Sequence, residues 1–544
     1  IQFEISGSHV NGIHAAGGEV NIANASFVFY GGENNQGIYN DGGTSRAHWC
    51  DFSISGKNNY GIHSTNGITR ATGCTITMTG EYVVGVYTTG GRALIEGGSI
   101  NVGFAKDKNN KLLTSTAVST EGGEIYLAGK LAIESASLGV TVRGNANMSG
   151  SLEIASDTIT TGDGTTYPDI TPGNVAIKTP NATGIYVNNG NLTNKGTVTV
   201  TSFVGNEEGA DKGWSWVDEN GNAIDFNKYN GVYVQGGSLE SEGTLNVTFT
   251  GVENESKYDI DTLLETYDIT LPTIGEDGIG STTQRFWDDD NTVWNNFYTA
   301  YQREFNTPSF QEVQQAVSYA VRVEGDANTT VTIASGQITN SVGGGVLVNG
   351  GTVDLGTSAN NLEIHAEGNR TIDKTYIYTF TKETGRDYHN WWWHDYYEYT
   401  IEVRSAMYFA EIDEPAQNWA YRENQTGGDA VRVEGGELTI VGGNYTSAQG
   451  NGIVAVGGKT TINGGTFNGS DNYKVKDGNG LVVPAGPAAS YAFKVYGGEI
   501  TVNAGTFGDR DSDSGASGGF VMGTLADAPG TAYINGGTFD VSNG

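Results

Sequence analysis

The stretch Gly12-Ile13-His14-Ala15-Ala16-Gly17-Gly18 returns as Gly37-Ile38-Tyr39-Asn40-Asp41-Gly42-Gly43 and, looser at its close, as Gly61-Ile62-His63 and Gly85-Val86-Tyr87-Thr88-Thr89-Gly90-Gly91. The starts at 12, 37, 61 and 85 are separated by 25, 24 and 24 residues. A fixed period of this size marks a solenoid, and a unit of ~24 residues rich in Gly, Thr, Asn and β-branched residues marks β coils rather than helix pairs. The phrase continues, as a small residue, a large apolar one, three variable positions and a glycine, at Ala117, Gly139, Gly184, Gly231, Ala320, Gly345, Ala430, Gly452 and Ala492, with a degenerate unit at Gly519. A second phrase follows many of them, as in Thr461-Ile462-Asn463-Gly464-Gly465-Thr466-Phe467 and Ala532-Tyr533-Ile534-Asn535-Gly536-Gly537-Thr538-Phe539. Each unit therefore reads as two or three short strands with glycine corners.

Superposing the first four units aligns Ala25, Cys50, Cys74 and Gly98, then Phe27, Phe52, Ile76 and Ile100, then Phe29, Ile54, Met78 and Val102. Strand alternation puts these three positions on one face, and stacking the units turns each column into an inward ladder. Phe467, Phe507 and Phe539 are expected to play the part of Phe27 near the end of the chain. Cys50 and Cys74 fall at one position of adjacent coils, so their α-carbons should lie about 5 Å apart, within disulfide range. They are either two buried thiols in a small-residue column or a disulfide stapling two coils, and an oxidising compartment favours the staple.

The chain has 544 residues with 37% hydrophobic content, too many for one ordinary globular core, yet no composition break divides it. A single solenoid over 1–544 removes the conflict, because each coil buries only its own inward residues against its neighbours. Glycine numbers 82, without the triplet period of collagen. The net charge of −33 repels nucleic acid and anionic lipid, so neither is an expected partner, and no apolar run suits direct membrane insertion by these residues. The acidity suits an extracellular, self-repelling surface. Ile1-Gln2-Phe3-Glu4-Ile5 is no signal peptide, and the chain is expected to be part of a longer precursor.

Where the spacing departs from 24, residues have been added. The steps 139 to 184 and 184 to 231 fit two coils or one coil plus a loop, and two large insertions stand at 252–318 and 369–427. Eight of the nine tryptophans lie off the regular repeat: Trp214 and Trp216 in a loop near 205–228, Trp287 and Trp294 in the first insertion, and Trp391, Trp392, Trp393 and Trp419 in the second. A short helix is expected near Phe310 to Val317. The second insertion reads as a β-hairpin, Tyr376 to Phe380 against Tyr396 to Val403, around a turn at Thr384-Gly385-Arg386-Asp387. Insertions of a solenoid map to loops on one side, which is often the binding face.

The glycine pairs, the Ile534-Asn535-Gly536-Gly537-Thr538-Phe539 closing strand and the small-then-aliphatic columns resemble the passenger domains of bacterial autotransporters, the type V secreted right-handed parallel β-helices of which pertactin is a member. The resemblance covers the chain apart from its insertions and speaks for architecture, not activity. It implies export across the outer membrane, display on the bacterial cell surface, and adhesion. The membrane barrel of that family is not among these residues, and disulfides are uncommon in it.

Candidate chemistry is sparse. Asp513-Ser514-Gly515 has the look of a serine nucleophile's surround but no matching His and Asp context. Asp509, Asp511 and Asp513 have the spacing of a calcium loop, but its glycine falls one place late and its twelfth position is Phe520, so a solvated loop is the reading. Asp288-Asp289-Asp290, between Trp287 and Trp294, comes nearest to the paired carboxylates of a glycan lyase or hydrolase. The seven histidines are scattered apart from His389 and His394, no Cys/His spacing suits a metal, and no cofactor is expected. The strongest signal is aromatic. Three consecutive tryptophans in a strand cannot all face one way, so some of Trp391, Trp392, Trp393, Tyr396, Tyr397 and Tyr399 should be exposed, with Trp287, Trp294, Trp214 and Trp216 as further candidates. The expected function is a non-enzymatic surface adhesin or interaction scaffold that binds a protein or glycan of a host or neighbouring cell through these insertions. The rival is a structural protein that self-associates into fibres or a layer, and a glycan-active enzyme stands third.

Overall fold

In the computed structural model the described residues are 1–103, 105–106, 112–145, 147–180, 183–203, 216–217, 223–224, 230–250, 279–287, 319–341, 343–359, 361–367, 376–389, 392–405, 428–448, 450–469, 474–476, 482–484, 491–508, 518–522 and 530–539. Over these the protein is all-β, built on one 33-stranded and mostly parallel sheet, with no helix among them. In each repeat the chain passes through three strand positions and then pairs, in parallel, with the same positions one repeat later.

The first strand of each repeat carries the phrase quoted above. Its large apolar residues form one unbroken register: Ile13, Ile38, Ile62, Val86, Val118, Val140, Ile185, Val232, Val321, Val346, Val431, Ile453, Phe493 and Phe520. Val140 pairs with Ile185 and Ile185 with Val232, so each long step there is one repeat plus a loop. The third strand carries a second register, from Phe3 through Phe27, Phe52, Ile76, Ile100, Ile133, Ile177, Val200, Val247, Ile338, Ile364, Tyr445, Phe467 and Phe507 to Phe539. Phe27, Phe52, Ile76, Ile100, Phe467 and Phe507 are at most 2% exposed, and Phe539 packs half-buried at the end of the row. The rings stack at 4.7 to 5.0 Å (Phe3–Phe27, Phe27–Phe52, Tyr445–Phe467, Phe467–Phe507, Phe507–Phe539), the spacing of paired strands.

The small residue that opens the phrase has a steric cause. A β-carbon on Gly37 would stand 2.7 Å from the Phe52 ring, and one on Gly61 2.6 Å from Ile76 Cγ2. The first strand thus approaches the third so closely that the space for a side chain is already filled by the third-strand ladder.

Cys50 and Cys74 are both buried in the expected column, where the Thr75 N–H donates to Cys50 O and Cys74 pairs with Gly98. They are free thiols, which corrects the staple reading. Side chains at matching positions of parallel neighbours leave in the same direction, so their β-carbons keep the ~4.8 Å strand spacing, whereas a disulfide wants about 3.8 Å. Each thiol instead lies against carbonyls, Cys50 Sγ 3.4 Å from His48 O and Cys74 Sγ 3.5 Å from Ala47 O.

The insertions are not spread around the repeat. Segments 103–115, 204–229, 251–318, 367–430 and 469–490 all leave after a third strand and return at the next first strand. Residues 144–150, 155–173, 356–361 and 523–530 are the exceptions, the second of them with a small hairpin of Ile159–Thr160 and Thr166–Tyr167.

Candidate functional site

Strands that leave the stack at that corner find partners in one another. Ile279–Trp287, from the first large insertion, pairs antiparallel with Trp392–Ser405 of the second, which also pairs with Tyr376–His389. The two insertions thus share one three-stranded sheet in which Trp287 stands opposite Tyr396. A smaller sheet repeats the arrangement: Leu112–Leu113 joins Trp216–Val217 through Leu113 and Val217, and Trp216 also pairs with Ile224.

The hairpin forms, but its turn is not at 384–387. Pairing runs from Tyr376 opposite Ser405 to His389 opposite Trp392, so Thr384, Gly385, Arg386 and Asp387 lie inside a strand. Gly385 is there for a different reason than a turn: it stands opposite Tyr396, and a β-carbon would lie 2.4 Å from Tyr396 Cζ. Antiparallel pairing also sorts residues by parity. Trp393, Asp395, Tyr397, Tyr399, Ile401 and Val403 pair with Tyr388, Arg386, Thr384, Lys382, Phe380 and Tyr378, an aromatic set. The other parity, His394, Tyr396, Glu398, Thr400 and Glu402 against Asp387, Gly385, Glu383, Thr381 and Thr379, is mostly polar. Thr283 and Thr400 share a hydroxyl hydrogen bond of 3.0 Å on this second set.

At the far end of the aromatic set, Trp393 is 63% and Tyr388 55% exposed. Their rings meet edge-on, with centroids 5.7 Å apart and planes at 73°. Beside them Arg386 Nε lies 3.1 Å from Asp395 Oδ1, both side chains more than half exposed, a pair worth little in stability. A cross-strand aromatic pair contributes roughly 0.2–1 kcal/mol, far less than burying both rings would. Two large rings are thus held together in solvent beside a cation and an anion. Among the described residues no group of three His, Cys, Asp or Glu could hold a metal. Trp391, Trp294, Trp214, the Asp288 to Asp290 run, the helix expected near Phe310 and residues 509–517 of the Asp509 to Gly519 run lie outside the described residues. Trp392 pairs with His389, and Tyr397 and Tyr399 stand opposite Phe286 and Gln284.

Two features of the regular repeats escape a reading of composition. His14, Tyr39, His63 and Tyr87 stack outward along the first strand at 5.1, 5.5 and 5.1 Å, with Tyr60 against His63 and Tyr87. Burial in this row pushes the His63 imidazole down to about 4, and its Nδ1 lies 3.1 Å from Gln36 Oε1. Tyr87 donates to Glu121 Oε2 at 2.8 Å, and burial first, then this carboxylate, raises the phenol. The second feature is Trp49, the one tryptophan inside the regular repeat. It is 65% exposed with φ of 54°, a conformation costing a bulky residue on the order of 1 kcal/mol.

Comparison of the chain with protein-family models, with curated proteins and with solved structures finds no match.

Proposed function

We propose that the chain is a right-handed parallel β-helix displayed outside a bacterial cell, akin to an autotransporter passenger, and that it works as an adhesin or interaction scaffold. In this reading the regular coils are a stiff spacer, and the lobes at one corner carry the contacts to a protein or glycan of a host or neighbouring cell. The observation that carries it is the exposed Tyr388–Trp393 pair at the end of a sheet assembled from two insertions. Exposed rings supply large contact area at low entropic cost. The net charge of −33 favours neutral or basic partners.

The test is attachment of beads carrying the full chain to epithelial cells and to bacteria, compared with the Tyr388→Ala/Trp393→Ala double variant. Attachment should fall at least tenfold while the melting profile stays in place, since surface substitutions change stability by at most about 0.5 kcal/mol. Unchanged attachment, together with filaments or sheets of the unsubstituted chain in electron micrographs, would transfer the assignment to a structural surface protein.

A further inference from the structure

Trp49 occupies a place that its neighbours fill with residues made for it. The corner between the second and third strands is a single left-handed residue in successive repeats: Asn24 at φ 53°, Trp49 at 54°, Gly73 at 63° and Gly97 at 65°. Their alignment follows from the pairing of Ala23, His48, Thr72 and Glu96 just before them. Asn and Gly enter this conformation at little cost, whereas tryptophan gains nothing from it. Nor does the position bury the ring, which stays 65% exposed. What the corner does provide is a flat seat. A β-carbon on Gly73 would stand 2.6 Å from both Cε3 and Cζ3 of the indole, so the ring lies on the bare backbone of the next corner while most of it stays in solvent. Its Nε1–H donates to no described group.

The surroundings decide what such a platform can hold. The flanking positions are Ala23, Asn24, Asp51 and Thr72, exposed or half-buried, with Ser26 and Thr75 half-buried on the adjoining strands. Those positions hold no second Trp, Tyr or Arg, and the anchors of protein interfaces cluster. A rigid aromatic plane with hydroxyl, amide and carboxylate residues at the flanking positions matches a pyranose, whose C–H face would stack on the indole while its edge hydroxyls meet polar side chains. The acidic chain disfavours a sugar acid or sulfated sugar. We propose that Trp49 is a stacking platform for a neutral hexopyranose of an oligosaccharide, a site separate from the insertion lobes and independent of their role.

The experiment uses the full chain labelled with ¹⁵N at its indoles and titrated with lactose, maltotriose and N,N′,N″-triacetylchitotriose into the millimolar range, where single-ring stacking sites bind. The Trp49 signal is identified by its loss in Trp49→Asn. It should shift and saturate with at least one of the three sugars, saturation-transfer signals from that sugar should drop at least tenfold in Trp49→Asn, and the variant should melt at or above the temperature of the parent. A Trp49 signal unmoved by all three sugars overturns the proposal, as does a variant that keeps its saturation-transfer signals. Should Trp49→Asn melt lower, the titration of the unsubstituted chain decides alone.

Discussion

Replacing Ile76 by Ala tests whether the third-strand ladder is a continuous core. Ile76 is 2% exposed, in register between Phe52 and Ile100, and Gly61 faces it with no side chain to move into a void. The substitution removes three carbon atoms, about 2.4 kcal/mol at ~0.8 kcal/mol per buried methylene. The cavity left would add up to ~2 kcal/mol if nothing relaxed, at about 24 cal/mol per Å³, and the stacked neighbours are pinned by backbone pairing. A cost of about 3 to 4 kcal/mol follows. Because each repeat touches only its neighbours, the loss should be local, so native-state hydrogen exchange is the assay. Protection of amides in 51–57, 75–81 and 98–102 should fall by two to three orders of magnitude, at about 1.4 kcal/mol per decade, while the strand at 437–440 keeps its protection. Thr77→Ala, at an exposed position of the same strand, is the control. A drop under tenfold at 75–81, or an equal drop along the whole chain, would refute the ladder argument.

Two further outcomes follow from buried titratable groups. The Cys74 thiol is pushed up to about 11 from its ordinary 9.0 by burial first, so its neutral form is favoured in the fold. That contribution is complete below pH 9 and lost as pH rises toward 11. Iodoacetamide at pH 8 should leave both cysteines of the native chain unmodified, and Cys74→Ala should lose less stability than the parent between pH 9 and 11; fast labelling, an intact mass two hydrogens short, or equal alkaline losses would contradict this. His63 is shifted the other way, from 6.5 down to about 4 by burial, so its contribution is full above pH 6.5 and lost as pH falls to 4. Urea midpoints of His63→Gln should therefore decline less than those of the parent between pH 6.5 and 4, and parallel declines would count against the buried imidazole.

The repeat was legible because every unit must solve the same problem, a large residue facing a small one across a narrow interior. That constraint leaves a periodic trace, and the pairing of Ile13 through Phe520 follows it unit by unit. What left no periodic trace was missed. The pairing of Ile279–Trp287 with Trp392–Ser405 joins segments more than a hundred residues apart, with nothing in either to name the other. Gly385 carried the usual signature of a turn, yet serves to admit the Tyr396 ring. The cysteine pair met the α-carbon criterion and failed on side-chain direction, which spacing alone does not encode. His14, Tyr39, His63 and Tyr87 sat inside the quoted phrase at positions read as variable, although their common aromatic character is the mark of an outward stack. Trp49 was passed over because a single exception to a composition trend looks like scatter until its backbone conformation is seen.

The confinement of the large insertions to one corner has a local cause. Between the second and third strands the chain turns on one left-handed residue, Asn24, Trp49, Gly73 or Gly97, and an added residue there would break the hydrogen bonds that Asn24 and Trp49 donate across it to His48 and Thr72. The corner between the first and second strands is as tight, for Gly43 and Gly67 would each place a β-carbon within 2.8 Å of the carbonyl of the preceding repeat. Between the third and first strands several residues intervene, a left-handed one among them (His9, Asn34, Asn58 or Tyr82), and side chains add further ties: Asn35 Oδ1 accepts from the Val10 N–H and Asn59 Oδ1 from the Asn35 N–H. A side-chain tie can be dropped from one repeat without disturbing the strands on either side, and lengthening a loop whose ends are already held costs only a slowly growing entropy. Most of the added length accordingly lies at this corner, while 144–150 and 155–173 show that the other two admit insertions as well. Because the strands stack in register, repeated growth at one corner places successive insertions side by side, which is how segments from separate repeats come to pair as Leu113 with Val217 and Trp287 with Tyr396. The same geometry that makes the core monotonous gathers strands from separate insertions into shared sheets.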